Sequence, residues 1–316
     1  MDNILITGGA GFIGSHLSQR LLREGKRLAI VDNLDDYYPA EFKRTNLEEI
    51  KEEGNFQFFP VDIRDGEKLR DVFSTFKPEA VIHLAARPGV RMSFVQPEAY
   101  TSINVLGTTQ VLEISRQIGV QRFVFASSSS VYGHSSHAPF REDANISYPL
   151  SIYAATKVAG EALAFTYSHA YNLPVVCLRL FTVYGPRQRP DLAIRKFAAM
   201  ILERKEVPIF GDGSLERDYT YIDDIVNGIL LALHAPGQYD VFNIGNSHPI
   251  RIDTMVKTLS EALDMPAQCK YIPTPAGEML LTHADLSKTA QVLGYSPKVS
   301  FEEGVRRFAA WLRSRA

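Results

Sequence analysis

The feature that most constrains this chain is the order of its apolar runs: in the first half, short runs rich in Val, Ile and Phe alternate with helix-length amphipathic stretches. NILITG leads into 12 to 24, RLAIVD and FQFFPVD precede 66 to 76, AVIHLAA precedes 98 to 118, RFVFASS precedes 152 to 171, and VVCLRLF closes the series. Runs that are apolar at every position mark strands covered on both faces. Strand-helix alternation makes those strands parallel, because each helix carries the chain back across the sheet. The expected fold class is α/β, a doubly wound parallel sheet.

The alternation fails after about residue 182, where GPRQRP, FGDGS and PTPAGE supply loops among shorter helices. The expected division is a nucleotide-binding sheet domain over 1–181, joined again by 219–245, and a smaller C-terminal α/β unit over 182–218 and 246–316. The returning segments are YIDDIVNGILLAL, read as a helix, and YDVFNIG, read as a strand. FEEGVRRFAAWLRSR has helical apolar spacing and reads as a packing helix with a charged outer face.

The stretch ILITGGAGFIGSHL sets Gly8, Gly11 and Gly14 between the first strand and the first helix. Glycines serve there because the chain turns sharply, backbone must approach a pyrophosphate, and helix must pack on strand without a side chain between. The helix N-terminus adds unpaired N–H groups and partial positive charge. This predicts a Rossmann-type dinucleotide site. Asp32, at the end of the second strand, selects among dinucleotides: its carboxylate accepts from both ribose hydroxyls but repels a 2′-phosphate, which favours NAD over NADP. Asp62, in FFPVDIRD, reads equally as a contact to the adenine edge and as a helix N-cap.

RFVFA runs into SSSSVYG, which puts Ser127 to Ser130 at the carboxyl end of a strand, where ligands of open α/β sheets bind. In SIYAATK, Tyr153 and Lys157 stand at i and i+4 on one helix face. A free phenol titrates near pH ~10, so it serves as a base at neutral pH only where positive charge favours its anion. Lys157 and an oxidised nicotinamide would both do this, with a serine hydroxyl beside the phenol to hold a substrate oxygen.

The net charge of −2 in 316 residues gives no electrostatic reason to expect nucleic acid or a membrane surface as partner. Two cysteines, Cys177 and Cys269, are too few for a disulfide framework and lack metal-ligand spacing. No basic and apolar leader opens the sequence, and no apolar run approaches ~18 residues. A small-molecule partner and a cytoplasmic location are expected. His134 and His137 lie in a loop without companion ligands, so no metal is expected. His83 reads as a satisfied core histidine. Tyr37 and Tyr38 read equally as a cover over the adenosine pocket and as packing.

Taken together, TGGAGFIG, DN after the second strand, HLAA, Asn104, SSSSVYG, YAATK, LRLFTVYGP, RDYTYIDD and LGYSP resemble the extended short-chain dehydrogenase/reductase family, and within it the nucleotide-sugar epimerases and dehydratases. The resemblance implies bound NAD contacted by Gly8, Gly11, Phe12, Ile13, Gly14, Asp32, Asn33, Asp62, Ile63, Leu84, Ala85, Ala86, Asn104, Tyr153 and Lys157. It implies Ser128, Tyr153 and Lys157 as catalytic residues, and a nucleoside-diphosphate sugar in the smaller domain. Family dehydratases carry an Asp-Glu pair after the catalytic serine, where this chain has Ser129 and Ser130. Family decarboxylases carry a glutamate before VYG, again at Ser130, and Cys177 matches no cysteine of the GDP-sugar epimerase-reductases.

What remains by resemblance is 4-epimerization, in which Tyr153 takes the C4 hydroxyl proton, NAD takes the hydride, and a 4-keto sugar receives it back on its other face. AARPGVRMS and FTVYGPRQRPD look like UDP-glucuronate 4-epimerases, with Thr182 and Arg189 at the positions that meet the sugar carboxylate. The chain departs from that pattern at Arg187-Gln188, where Trp-Gly is common, and at Arg87-Pro88, where Gln-Ala is common. By the same resemblance Arg217 meets the diphosphate, Arg91 is a further candidate for the diphosphate or uracil, Glu278 lies near the ribose, and Ser128 to Ser130 meet the sugar. A homodimer is implied, built on helices around 103 to 118 and 152 to 170. UDP-glucose or its N-acetyl relative stands as the second substrate reading, and a non-catalytic NAD-binding sensor as the third.

Overall fold

The computed structural model describes residues 1–134, 137–274 and 279–315. Among the described residues twelve strands are formed: β1 Asn3–Thr7, β2 Arg27–Val31, β3 Gln57–Phe59, β4 Ala80–His83, β5 Arg122–Ser128, β6 Val175–Leu180, β7 Thr182–Tyr184, β8 Glu206–Phe210, β9 Glu216–Tyr221, β10 Tyr239–Ile244, β11 Pro249–Arg251 and β12 Gln268–Ile272. Seven of them make one sheet in the order β3-β2-β1-β4-β5-β6-β10, with every neighbouring pair parallel. The expected doubly wound sheet is borne out.

Its strands are apolar at consecutive positions because alternate side chains enter two separate cores. Leu5, Ala29, Val81, Phe123, Val175 and Cys177 pack on one face against the helices Gly66–Phe76 and Thr108–Ile118. Ile4, Ile6, Ile30, Ile82, Val124, Val176 and Leu178 pack on the other against Phe12–Arg23 and Ile222–Leu233. Each such side chain, being fully covered, contributes about 1.5–3 kcal/mol by leaving water. A polar substitution at any of them would therefore damage one layer.

The remaining strands stand apart, as a three-stranded sheet β11-β9-β7 and a parallel pair β12-β8. Between them in sequence, Ile222–Leu233 and β10 return to the large sheet, where β10 pairs with β6 from Tyr239↔Val175 to Ile244↔Leu180.

One expected element is interrupted. The segment 98 to 118 is not a single helix: Pro97–Thr101 opens into a wide π-turn at Ser102–Gly107 before Thr108–Ile118 resumes α-helical pitch. Such wide turns commonly mark functional positions. Here the widened turn brings backbone against Ile63, since a Cβ on Gly107 would lie 2.5 Å from the Ile63 Cδ1. It also buries the side chain of Asn104.

Candidate active site

β1 lies between β2 and β4, so the chain order reverses there and a crevice opens beyond the carboxyl ends of the strands. Gly8 fills that point with φ +73°, and a Cβ on it would stand 2.7 Å from the Ala85 nitrogen. At Gly14 a Cβ would strike the Gly8 carbonyl and come within 2.6 Å of the Gly9 Cα. Gly11 caps the first helix without any side-chain acceptor, leaving its first N–H groups for a ligand. Beyond the turn, Asp32 is buried at the end of β2, and its Oδ1 accepts from the Leu34 N–H at 2.9 Å and the Lys43 Nζ at 3.3 Å. These residues fit a dinucleotide: backbone for the phosphates and a fixed carboxylate for the ribose.

Asp62 accepts from Asn33 Nδ2 at 3.0 Å and from Arg64 Nε at 2.9 Å, and the Arg64 bond holds its carboxyl below the usual range. It does not cap the following helix; Asp65 does, accepting from the Lys68 N–H at 3.2 Å. Both Asp62 and Ile63 line a cavity of about 750 Å³ that continues past the glycine turn and Leu84, Ala85 and Ala86 to Ser128, Ser129, Ser130, Tyr153 and Lys157. That volume is in the range of small-ligand and cofactor sites.

Ser128 ends β5, and its Oγ accepts from the Ser130 N–H at 3.2 Å, which starts the short turn Ser129–Tyr132. The helix Ile152–Tyr171 is capped by Ser151, whose Oγ accepts from the Ala154 N–H at 3.1 Å, and this places Tyr153 in its first turn. Tyr153 and Ser128 line the same cavity. Burial raises the phenol above its ordinary value, opposed by the Ser128 hydroxyl and the Arg189 charge and reinforced by Tyr37.

The Lys157 ammonium donates to the Ala126 carbonyl at 2.8 Å and lies 6.0 Å from the centre of the Tyr153 ring. Burial pushes its pKa down to about 8, against the charge of Glu161 one turn on. Glu161, missed in the sequence, forms a buried pair with Arg179 of β6 at 2.8 Å and accepts from the Ser127 hydroxyl at 2.5 Å. The only local signal for it was an acid at i+4 from the lysine.

Asn104 is placed behind the cavity wall, not in it. Its Oδ1 accepts from the Arg87 N–H at 2.7 Å, and its Nδ2 donates to the Arg87 carbonyl and to Thr156 Oγ1, each at 3.0 Å. It therefore ties the loop after β4 to the helix that carries Tyr153. His83 is a core residue, with Nδ1 2.6 Å from Thr7 Oγ1 and Nε2 3.0 Å from Thr108 Oγ1, and burial pushes its pKa down to about 3. Because the Thr108 hydroxyl donates to the Asn104 carbonyl at 2.6 Å, Nε2 is the protonated nitrogen. Cys177 is fully buried within β6, its thiol pushed up by burial.

The far end of the cavity is lined by Thr182 of β7, Arg189, Arg217 of β9 and Arg91. The Asp218 carboxylate beside Arg217 accepts backbone N–H groups of Asn246, Ser247 and Ala284 at 2.7, 2.9 and 3.0 Å, which fixes β9 against two loops. Arg189 pairs with Asp191 through Nε and Nη2, both at 3.0 Å, and its guanidinium lies 5.9 Å from the centre of the Tyr37 ring. The Arg91 guanidinium lies over Phe210 at 4.6 Å. Tyr37 and Tyr38 both line the cavity, while Glu278 lies outside the described residues.

Arg187 and Gln188 do not line it. Arg187, at φ +62°, donates to Glu49 at 3.1 Å and Gln19 at 2.8 Å on two helices of the large sheet. Gln188 donates to the Val183 carbonyl at 3.0 Å and accepts from the Arg195 N–H at 3.1 Å. This pair fixes the loop from which Arg189 projects.

Residues 5–308 match the family described as GDP-mannose 4,6 dehydratase. The UDP-glucuronate 4-epimerase of Thermodesulfobacterium geofontis is 42% identical over 312 residues, covering 98% of this chain and 96% of that one. The fold superposes on the UDP-glucuronic acid 4-epimerase of Bacillus cereus, solved in complex with UDP-glucuronic acid and NAD, with a TM-score of 0.93 and 37% identity over 99% of both chains. It superposes on the UDP-glucose 4-epimerase of Thermotoga maritima, solved with UDP-glucose, with a TM-score of 0.90 and 34% identity over 99% of both chains. The resemblance read from the glycine turn and the Tyr-Lys pair is thus borne out over nearly the whole length, and the chain belongs to the GDP-mannose 4,6 dehydratase family of extended short-chain dehydrogenases/reductases.

Proposed function

We propose that this protein is an NAD-dependent 4-epimerase that interconverts UDP-glucuronate and UDP-galacturonate. One observation carries the reading: the phenol of Tyr153 and the Ser128 hydroxyl share one cavity with the glycine turn and Asp32 on one side and Thr182 and Arg189 on the other. Bound along the glycine turn, NAD supplies a hydride acceptor and donor. The chain itself handles the proton and the pose.

Tyr153 withdraws the proton of the C4 hydroxyl, and the Ser128 hydroxyl, on the wall of the same cavity, holds that oxygen. Positive charge from Arg189 already favours the phenolate, and burial opposes it. Ser129 and Ser130 offer no carboxyl group, so nothing beside Ser128 supplies the extra acid and base that elimination of water would require. Asp191 takes two of the five N–H donors of Arg189 and leaves three for a sugar carboxylate. Arg217 and Arg91 line the cavity where a diphosphate needs cations.

Two copies pair through the helix Ile152–Tyr171 and its neighbours, a reading supported by large apolar side chains left exposed there, Phe94, Leu106, Phe165 and Tyr171. Sedimentation at micromolar concentration checks it. Among the described residues no helix is long and apolar enough to cross a membrane. We place the protein in the cytoplasm, where its free Cys177 and Cys269 stay reduced.

The test is a panel of UDP-sugars scored for inversion at C4, with carbon dioxide release followed in parallel. UDP-glucuronate should be converted fastest and without decarboxylation; faster conversion of UDP-glucose would move the assignment to the neutral sugar. Tyr153→Phe should lower kcat by about 10³-fold or more while NAD stays bound, because only the acid-base oxygen is removed. Full activity in that variant would sink the mechanism.

A further inference from the structure

Three buried side-chain atoms lack a hydrogen-bond partner among the described residues: Ser18 Oγ, Arg122 Nε and Arg87 Nε. Only Arg87 belongs to a residue that lines the cavity. The protein leaves the hydrogen bonding of this guanidinium incomplete, and the residue that carries it lines the cavity.

The position of Arg87 is built rather than incidental. Its peptide is gripped on both sides by Asn104, at 2.7 Å to the N–H and 3.0 Å to the carbonyl, and Asn104 is itself bonded to Thr156 in the helix of Tyr153. The guanidinium lies 5.6 Å from the centre of the Tyr37 ring, and Nη1 is 3.6 Å from the Asp35 carboxylate. Behind the loop after β4 the Tyr100 hydroxyl donates to the Pro88 carbonyl. Arg189 flanks the same Tyr37 ring, so two guanidinium groups converge on one aromatic side chain next to Tyr153. Asp35 and Asp191 each engage one of these cations, which keeps the pair from repelling itself while leaving donors on both.

We propose that Arg87 is a further binding residue of this site, donating through its forked N–H groups to an oxyanion held in the cavity near Tyr153. The inference rests on the epimerase reading for one of two sources of that oxyanion, the sugar carboxylate; the other is a diphosphate oxygen of the dinucleotide. Both are planar or tetrahedral anions that a guanidinium recognises by charge-assisted hydrogen bonds.

The experiment compares wild type with Arg87→Gln and Arg87→Lys in three readouts: the NAD dissociation constant, calorimetric binding of UDP-glucuronate to the NAD-loaded protein, and the ratio of kcat/KM for UDP-glucuronate to that for UDP-glucose. Loss of one charge-assisted contact should cost about tenfold or more in whichever readout reports the source, with partial recovery in Arg87→Lys. A fall in UDP-glucuronate binding and in the ratio, with NAD affinity kept, assigns the carboxylate. A fall in NAD affinity with the ratio kept assigns the cofactor. Changes under twofold in all three readouts, or equal losses in all accompanied by a lowered melting temperature, overturn the proposal. If wild type converts no UDP-glucuronate, the epimerase assignment fails by itself, and the NAD and calorimetric arms still decide the role of Arg87.

Discussion

At the end of the cavity nearest the glycine turn the walls are main chain, whereas at the end nearest Arg189 they are long side chains carried by loops. Gly8 and Gly14 leave no room for a Cβ, and the groups they present cannot change rotamer. Arg189 reaches its place through the loop that Arg187 and Gln188 pin to the large sheet, and it is held by Asp191. A main-chain wall recognises what every bound dinucleotide shares. A side-chain wall can be altered one residue at a time, so the proposed function assigns the choice of sugar to this end.

Gly8→Val should have the largest effect on the main-chain end. A branched side chain at φ +73°, with its Cβ 2.7 Å from the Ala85 nitrogen, should cost about 3 kcal/mol or more and abolish NAD retention, read by denaturant melts and by cofactor content after gel filtration. Near-normal cofactor content would show that the turn is less constrained than its geometry implies. Arg189→Ala, at the side-chain end, should lower kcat/KM for UDP-glucuronate about 10- to 100-fold while affecting UDP-glucose less; equal losses would remove the carboxylate from its role.

Arg187→Met sharpens the comparison further, since it touches neither ligand. It should lower stability by about 1–3 kcal/mol by leaving Gln19 Oε1 without its donor and Glu49 with Arg315 but without Arg187, and raise KM more than it lowers kcat. A change in kcat alone would mean that the loop acts on chemistry rather than on pose.

The effect that is smallest at neutral pH concerns His83, beneath the main-chain end. Its folded pKa of about 3 lies below the ordinary 6.5, so the unfolded chain binds a proton that the folded one refuses. Stability is complete above about pH 6.5 and falls as the pH drops from there toward 3, by at most about 1.4 kcal/mol per pH unit from this group. His83→Gln should flatten the pH dependence of the urea midpoint over that interval; an unchanged slope would assign the acid sensitivity elsewhere.

The same contrast explains what the sequence disclosed. The glycine turn, Asp32 and the Tyr153–Lys157 pair were legible because their spacing is local, and local spacing fixes which groups share a turn or a helix face. The work of Asn104 was not legible: its partners Arg87 and Thr156 are distant in sequence, and the π-turn that buries it breaks a stretch whose periodicity reads as one helix. Arg187 and Gln188 looked like substituted site residues. Only their three-dimensional partners show that they brace the loop instead. Lys157 shared a helix face with Tyr153 as expected, but the Ala126 carbonyl, supplied by another strand, claims its ammonium.

The return of β10 to the large sheet bears on how the chain is made. A ribosome that has released residues only as far as Leu180 has produced six of the seven strands, with the outer edge of β6 still unpaired. That edge stays open until Tyr239–Ile244 emerges, after the first part of the smaller unit and the returning helix Ile222–Leu233 have been synthesised. During that interval the nascent polypeptide displays a row of free backbone donors and acceptors flanked by apolar side chains, which is the surface that chaperones shield and neighbouring polysome chains can capture.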